Sequence, residues 1–241
     1  MTAPNHLWLP APTDFTLLPD DVHVWRIDLD QPEQQLQSFA ETLSNDELAR
    51  AKRFYFEEHR QRFIVGRGSL RAILGCYLGI EPIQVQFAYE ARGKPLLADA
   101  FASSGLSFNL SHSQGLGLIA VNCTRKIGVD LECIRRVSDI EALAKRFFLA
   151  REYEVLRSLS PEQQQETFFR YWTCKEAYLK ATGDGLSQLE QIEVSLTPTE
   201  PAKLRITEDW SLFELVPANN YVAAVAVANL GWDLKCWQYT H

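Results

Sequence analysis

Phe168-Phe169-Arg170-Tyr171-Trp172-Thr173-Cys174-Lys175-Glu176-Ala177-Tyr178-Leu179-Lys180-Ala181-Thr182-Gly183 is the stretch whose reading decides the fold. Its apolar residues recur at helical spacing, and Gly183 stands where a helix would end. Trp172, Glu176 and Lys180 fall four residues apart, so an aromatic ring, a carboxylate and an ammonium share one stripe. Charges on or beside a buried face need a polar partner or a metal, because an unpaired one costs several kcal/mol. The rest of the chain must supply what Glu176 and Lys180 face.

Upstream, Ser160-Pro161-Glu162-Gln163 is a capping box with proline at the first helical position, so the long helix is expected from there to Thr182. Ahead of it lie an expected helix over roughly 150–159 and another opened by the box Ser138-Asp139-Ile140-Glu141, running to about Phe148. Ile127 to Glu132 alternates as a strand. Downstream, strands are expected at 192–196, 210–215, 221–227 and 234–239.

The first half shows the same order. An arm carrying Pro4, Pro10, Pro12 and Pro19 leads into a strand over 22–29. Ser44-Asn45-Asp46-Glu47 caps a short helix to about Phe56, and a long helix from about His59 to Leu78 ends at Gly79. Strands follow at 85–88, 107–110 and 117–121, with 89–106 read as strand ends and loop. The repeated order implies an α+β protein of two similar subdomains, residues 1–123 and 124–241, related by a pseudo-two-fold with a cleft between them.

At 241 residues, with 46% apolar and 23% charged residues, the chain has globular composition and length enough for two cores. A net charge of −7 argues against a general nucleic-acid binder, and no apolar run approaches a bilayer span. The first twelve residues lack the pattern of a signal peptide. Five scattered cysteines with no C-x-x-C read as reduced thiols, which points to the cytoplasm.

Gly128-Val129-Asp130-Leu131-Glu132 puts two carboxylates on one side of a strand, about 7 Å apart, where hard oxygen donors suit Mg²⁺ or Mn²⁺; a solvated edge strand is the plainer reading. Phe108-Asn109-Leu110-Ser111-His112-Ser113 offers a hydroxyl, an imidazole and turn amides to a phosphate. Arg92-Gly93-Lys94 puts two cations on a tight turn, and Arg50, Lys52, Arg53, Arg60, Arg62, Arg67 and Arg71 concentrate positive charge in an acidic chain. There is no Walker A sequence, no G-x-G-x-x-G, no G-x-S-x-G and no H-E-x-x-H. Together these groups fit one polyanionic ligand held through a divalent metal.

The set Gly93-Lys94-Pro95, Phe108 to Ser113, Gly128 to Glu132 and Trp172 to Lys180 resembles, in order and spacing, the Sfp-type 4′-phosphopantetheinyl transferases, over about Ser44 to Val227. The resemblance implies a pseudo-dimer within one chain, hence a monomer. It also implies transfer of the phosphopantetheine arm of coenzyme A to a serine of an apo acyl, peptidyl or aryl carrier protein. Such carriers serve fatty-acid, polyketide and non-ribosomal-peptide synthesis. By the match, Asp130, Glu132 and Glu176 would hold Mg²⁺, with Asp130, Glu176 and Lys180 catalytic and Glu176 acting as base, ligand or both. Arg50, Arg92, Lys94, Ser111, His112, Lys175 and Lys180 would contact coenzyme A. Glu47 and Leu48 stand where some relatives carry lysines, which weakens the expected 3′-phosphate contacts near Arg50. Arg135, Arg136, Lys145 and Arg146 mark an expected carrier-docking region. The alternative function is a coenzyme A or carrier-protein binding module without catalysis.

Overall fold

The computed structural model describes residues 6–12, 15–196, 201–206 and 209–240; Pro4 of the N-terminal arm lies outside them. Twelve strands and six α-helices follow in chain order: β1 (Leu9–Pro10), β2 (Asp21–Asp28), α1 (Glu33–Glu41), α2 (Asn45–Ala51), α3 (Glu57–Leu78), β3 (Phe87–Tyr89), β4 (Pro95–Leu97), β5 (Leu106–Ser113), β6 (Leu116–Cys123), β7 (Ile127–Cys133), α4 (Ile140–Phe147), α5 (Ala150–Arg157), α6 (Pro161–Thr182), β8 (Val194–Ser195), β9 (Lys203–Leu204), β10 (Trp210–Leu215), β11 (Tyr221–Ala228) and β12 (Asp233–Gln238). The main sheets run β1-β12-β2-β6-β5 and β10-β11-β7, and β3-β4 and β8-β9 are small ribbons.

The duplication is visible in the topology. In the first half β2 pairs antiparallel with β6, and β6 with β5. In the second, β7 pairs antiparallel with β11, and β11 with β10. Helices α3 and α6 are both 22 residues long and both end at a left-handed glycine, Gly79 at φ 66° and Gly183 at φ 84°. A buried glutamate in the preceding helix ties each to its neighbour. Glu47 of α2 caps the Ser44 amide and pairs with Arg67 and Arg71 of α3 at 2.9 and 2.7 Å. Glu152 of α5 caps the Leu149 amide and pairs with Lys175 of α6. Arg71 and Lys175 each stand eight residues before their terminal glycine.

Three apolar clusters make a helix–sheet–sheet–helix stack. One lies between α3 and the first sheet, around Trp25, Ile27, Leu70, Ile73 and Ile119. A second lies between the two sheets, where Val22, Val24 and Leu118 meet Val129, Leu131 and Val225. The third joins α4, α5 and α6 to the outer face of β11. Strand alternation divides β7 between these layers: Ile127, Val129 and Leu131 enter the middle cluster, so 128, 130 and 132 face α6. At Gly128 a Cβ would meet Ala177 O at 2.1 Å and Ala181 N at 2.5 Å, so only glycine lets α6 lie this close to β7.

Several expectations need correction. The last strand of the expected second unit, 124–241, crosses back to pair parallel with β2 in the first sheet, Leu234 opposite Val22 and Cys236 opposite Val24. Helix α1, whose Phe39 is buried in the N-terminal core, was not expected. Helix α4 begins at Ile140 with Asp139 as its N-cap, and no side chain caps it, because burial of Ile140 against α6 fixes its start. The strand expected over 192–196 shrinks to Val194–Ser195, since a 3-10 turn over Leu186–Gln191 consumes the approach.

Candidate active site

A cleft of about 540 Å³ opens between the halves, lined by Arg50, Phe54, Arg62, Phe63, Gly66 and Arg67 of the α2–α3 region, Tyr89, Gly93 and Pro95, Leu110, Ser111 and His112 of β5, Asp130, Leu131 and Glu132 of β7, and Trp172, Glu176 and Lys180 of α6. The i, i+4, i+8 stripe of α6 therefore faces this space, and it does so because the next residue round the helix, Ala177, is pressed on Gly128. Trp172 also packs, stacked on Phe168 at 5.8 Å and edge-on to Phe147 at 5.6 Å.

The carboxylates are anchored by groups from both halves. Lys180 Nζ donates to Asp130 Oδ1 at 2.7 Å and to Ser111 Oγ at 2.9 Å, and Ser111 Oγ lies 3.0 Å from the same Oδ1. Asp130 Oδ2 is buried without a hydrogen-bond partner among the described residues. Glu132 Oε2 accepts from Ser113 Oγ and Arg135 Nη1, both at 3.1 Å. Burial first, then the Asp130 carboxylate, push Glu176 from 4.5 up to about 7 against the opposing pull of Lys180. The His112 imidazole is held below its usual value by the protein packed round it, with the Lys180 ammonium adding to the effect.

Among the described residues no three His, Cys, Asp or Glu side chains converge tightly enough to hold a metal by themselves. Asp130, Glu132 and Glu176 nevertheless share one cleft, their oxygens are hard donors, and Asp130 keeps an orphaned oxygen that a cation would satisfy. The mutual repulsion that raises Glu176 has the same remedy. The donor set fits a Mg²⁺-type ion that takes its remaining ligands from a phosphate and water.

Of the expected coenzyme A contacts, Arg50, Ser111, His112 and Lys180 line the cleft. Lys175 does not. It is fully buried on the other side of α6, its Nζ bound to Glu152 Oε2 and to Leu189 O, because the fold uses it as the counterpart of Arg71. Arg92 and Lys94 also lie outside the cleft lining. Arg92 Nη1 donates to Gly183 O at 3.1 Å and Lys94 Nζ to Lys180 O, where cations complement the C-terminal carbonyls of α6. Gly93 and Pro95 of that turn are what reach the cleft.

Sequence reasoning did not single out Phe54, Phe63 and Tyr89, whose rings line the cleft beside the arginines. Their signal was an aromatic beside each basic cluster. Of the arginines, Arg71 is buried on Glu47, Arg67 pairs with Glu47 and Tyr89, and Arg62 is neutralised by Asp30 and Glu58. Arg50 lies over the Phe63 ring with no carboxylate bound among the described residues.

Both halves of the chain are similar to known proteins. A model of the 4′-phosphopantetheinyl transferase superfamily matches residues 126–226, and one for the N-terminal part of 4′-phosphopantetheinyl transferases matches 30–124. The chain is 69% identical over 235 residues to the 4′-phosphopantetheinyl transferase HetI of Nostoc sp., covering 98% of this chain and 99% of that one. It is 29% identical over 224 residues to the 4′-phosphopantetheinyl transferase Sfp of Bacillus subtilis, covering 90% and 97%. A holo-(acyl-carrier-protein) synthase structure from Bacillus anthracis, in complex with CoA (3′,5′-ADP), aligns with 44% of this chain and 96% of its own at 21% identity and a TM-score of 0.39. With both halves matched and identity sustained along nearly its whole length, this chain belongs to the 4′-phosphopantetheinyl transferase superfamily.

Proposed function

We propose that this protein moves the 4′-phosphopantetheine arm of coenzyme A onto a serine hydroxyl of an apo carrier protein, releasing adenosine 3′,5′-bisphosphate. The observation that carries the reading is the meeting of Asp130, Glu132, Glu176 and Lys180 in one cleft, with arginines and aromatic rings at its other side. Asp130, Glu132 and Glu176 would hold Mg²⁺, which when bound neutralises the pyrophosphate and stabilises the departing phosphate. Lys180 sets its ammonium against the same anion, exchanging part of its hold on Asp130 for phosphate oxygens. Arg50, with no carboxylate partner among the described residues, is the cleft cation freest to receive the 3′-phosphate, and His112 presents an imidazole N–H on the same cleft. The rings of Phe54, Phe63 and Tyr89 suit an adenine face.

The serine Oγ forms a bond to the β-phosphorus while the bond from that phosphorus to the bridging oxygen breaks; the leaving group carries the electron pair away. Glu176, with a proton affinity near neutrality, takes the serine proton. One chain supplies both walls of the cleft, which supports a monomeric enzyme. Exposed Arg135, which pairs with Glu132 of the cleft, and Lys145 and Arg146 of α4 suit an acidic carrier. Incubation with coenzyme A, Mg²⁺ and an apo carrier protein should add one phosphopantetheine mass to the carrier, and chelation of the metal should stop it. Coenzyme A binding with no mass gain on any carrier of a broad panel would instead mark a binding module.

A further inference from the structure

Strands β5 and β7 are neighbours without a backbone ladder between them, and three side chains take its place. Asn109 Oδ1 accepts the Val129 amide at 2.9 Å, Ser111 Oγ the Leu131 amide at 3.3 Å, and Ser113 Oγ the Cys133 amide at 3.1 Å. The period of two on both strands makes this a regular seam of side-chain acceptors and backbone donors. A hydroxyl has a proton left to give after accepting an amide. Ser111 lies 3.0 Å from the Asp130 carboxylate and Ser113 3.1 Å from that of Glu132, whereas the residue before the Val129 amide that Asn109 accepts is Gly128, which has no side chain. Ser113 and Arg135 occupy Glu132 Oε2, leaving Oε1 without a hydrogen-bond partner among the described residues.

We propose that Ser113 is a positioning residue for Glu132: it locks one carboxylate oxygen to the seam so that the other is presented to a divalent cation. The inference rests on the reading of Glu132 as a cation ligand. Fixing a ligand's second oxygen by an outer partner is worth about 10–100-fold in metal affinity at comparable sites. Arg135 cannot substitute for it, since its guanidinium is solvent-exposed and its hold on Glu132 is correspondingly loose.

The experiment is a Mn²⁺ titration followed by the electron paramagnetic resonance signal of free Mn²⁺, with coenzyme A at a fixed level and its own blank subtracted. Ser113→Ala should weaken Mn²⁺ binding about 10-fold, Ser113→Thr should restore it, and Asn109→Ala should lower the melting temperature while leaving Mn²⁺ affinity within about twofold. Ser113→Cys, close in volume, serves if the alanine variant does not fold. Equal loss of Mn²⁺ affinity in Asn109→Ala and Ser113→Ala would overturn the proposal, because only the seam would then matter, as would unchanged affinity in Ser113→Ala alongside a clear loss in Glu132→Gln. Unchanged affinity in Glu132→Gln would overturn the underlying reading of Glu132 instead.

Discussion

On α6 the side chains of Lys175 and Glu176 leave the axis about 100° apart, and that rotation separates structure from chemistry. Lys175 turns into the core and closes a fully buried pair with Glu152, whose other oxygen accepts the Val194 amide at 2.8 Å. Lys175→Ala should cost about 3–5 kcal/mol by leaving Glu152 uncompensated, seen in urea unfolding, with the KM for coenzyme A of the folded fraction unchanged. Glu176 turns into the cleft, where its pKa rises from 4.5 to about 7. A raised carboxyl pKa means the folded state holds the proton more tightly than the unfolded one. The associated stability is present below about 4.5 and is lost as pH rises through about 7. After discounting for solvent at the cleft, Glu176→Gln should be about 1–2 kcal/mol more stable than the parent at pH 8 and no more stable at pH 4, while losing arm transfer. A motif that contains both residues marks the segment but not the side each one faces, so Lys175 was legible as a candidate although its ammonium points into the core. The turn of Arg92 and Lys94 was readable too, but the carbonyls these cations meet, Gly183 O and Lys180 O, lie 91 and 86 residues away in sequence.

Among elements, the pairing of α6 with β7 decides the cleft. Gly128 removes the one Cβ that would separate them, so Gly128→Ala should push α6 outward, cost about 1–3 kcal/mol or more and lower transfer by misplacing Glu176 and Lys180 together. Thermal melting and kcat on the same preparation check both parts. Helices with capping boxes and glycine stops were readable because those signals are local: α3 and α6 stop at their glycines and α2 and α6 start at their boxes, although α2 ends at Ala51, short of the expected Phe56. Helix α1 has only Pro32 before it and no side-chain cap, and its stability comes from Phe39 in the core, a tertiary fact that no local pattern carries. The seam between β5 and β7 was invisible for a similar reason. Asn109, Ser111 and Ser113 give no sign of the amides they meet until the second strand is set beside them.

For the molecule as a whole, duplication was legible since each half repeats its order of elements, and the sheets β2-β6-β5 and β7-β11-β10 bear it out. The return of β12 to the first sheet was not, because parallel pairing between the two ends of the chain leaves no mark on either segment. That strand buries Cys236 in the layer between the sheets and covers the β2 edge. Removing residues 233–241 should therefore cost at least about 3 kcal/mol and broaden the unfolding transition of both halves, measurable by calorimetry. The central claim is that the carboxylates of β7 and α6 form one catalytic site, facing the first half across the cleft. The most direct test is the intact mass of an apo carrier protein over time with coenzyme A, Mg²⁺ and the Asp130→Asn variant, which keeps the shape of the side chain and an acceptor for Ser111. Arm transfer at least about 100-fold slower than with the parent protein is the predicted result; a rate within a factor of about two would contradict it.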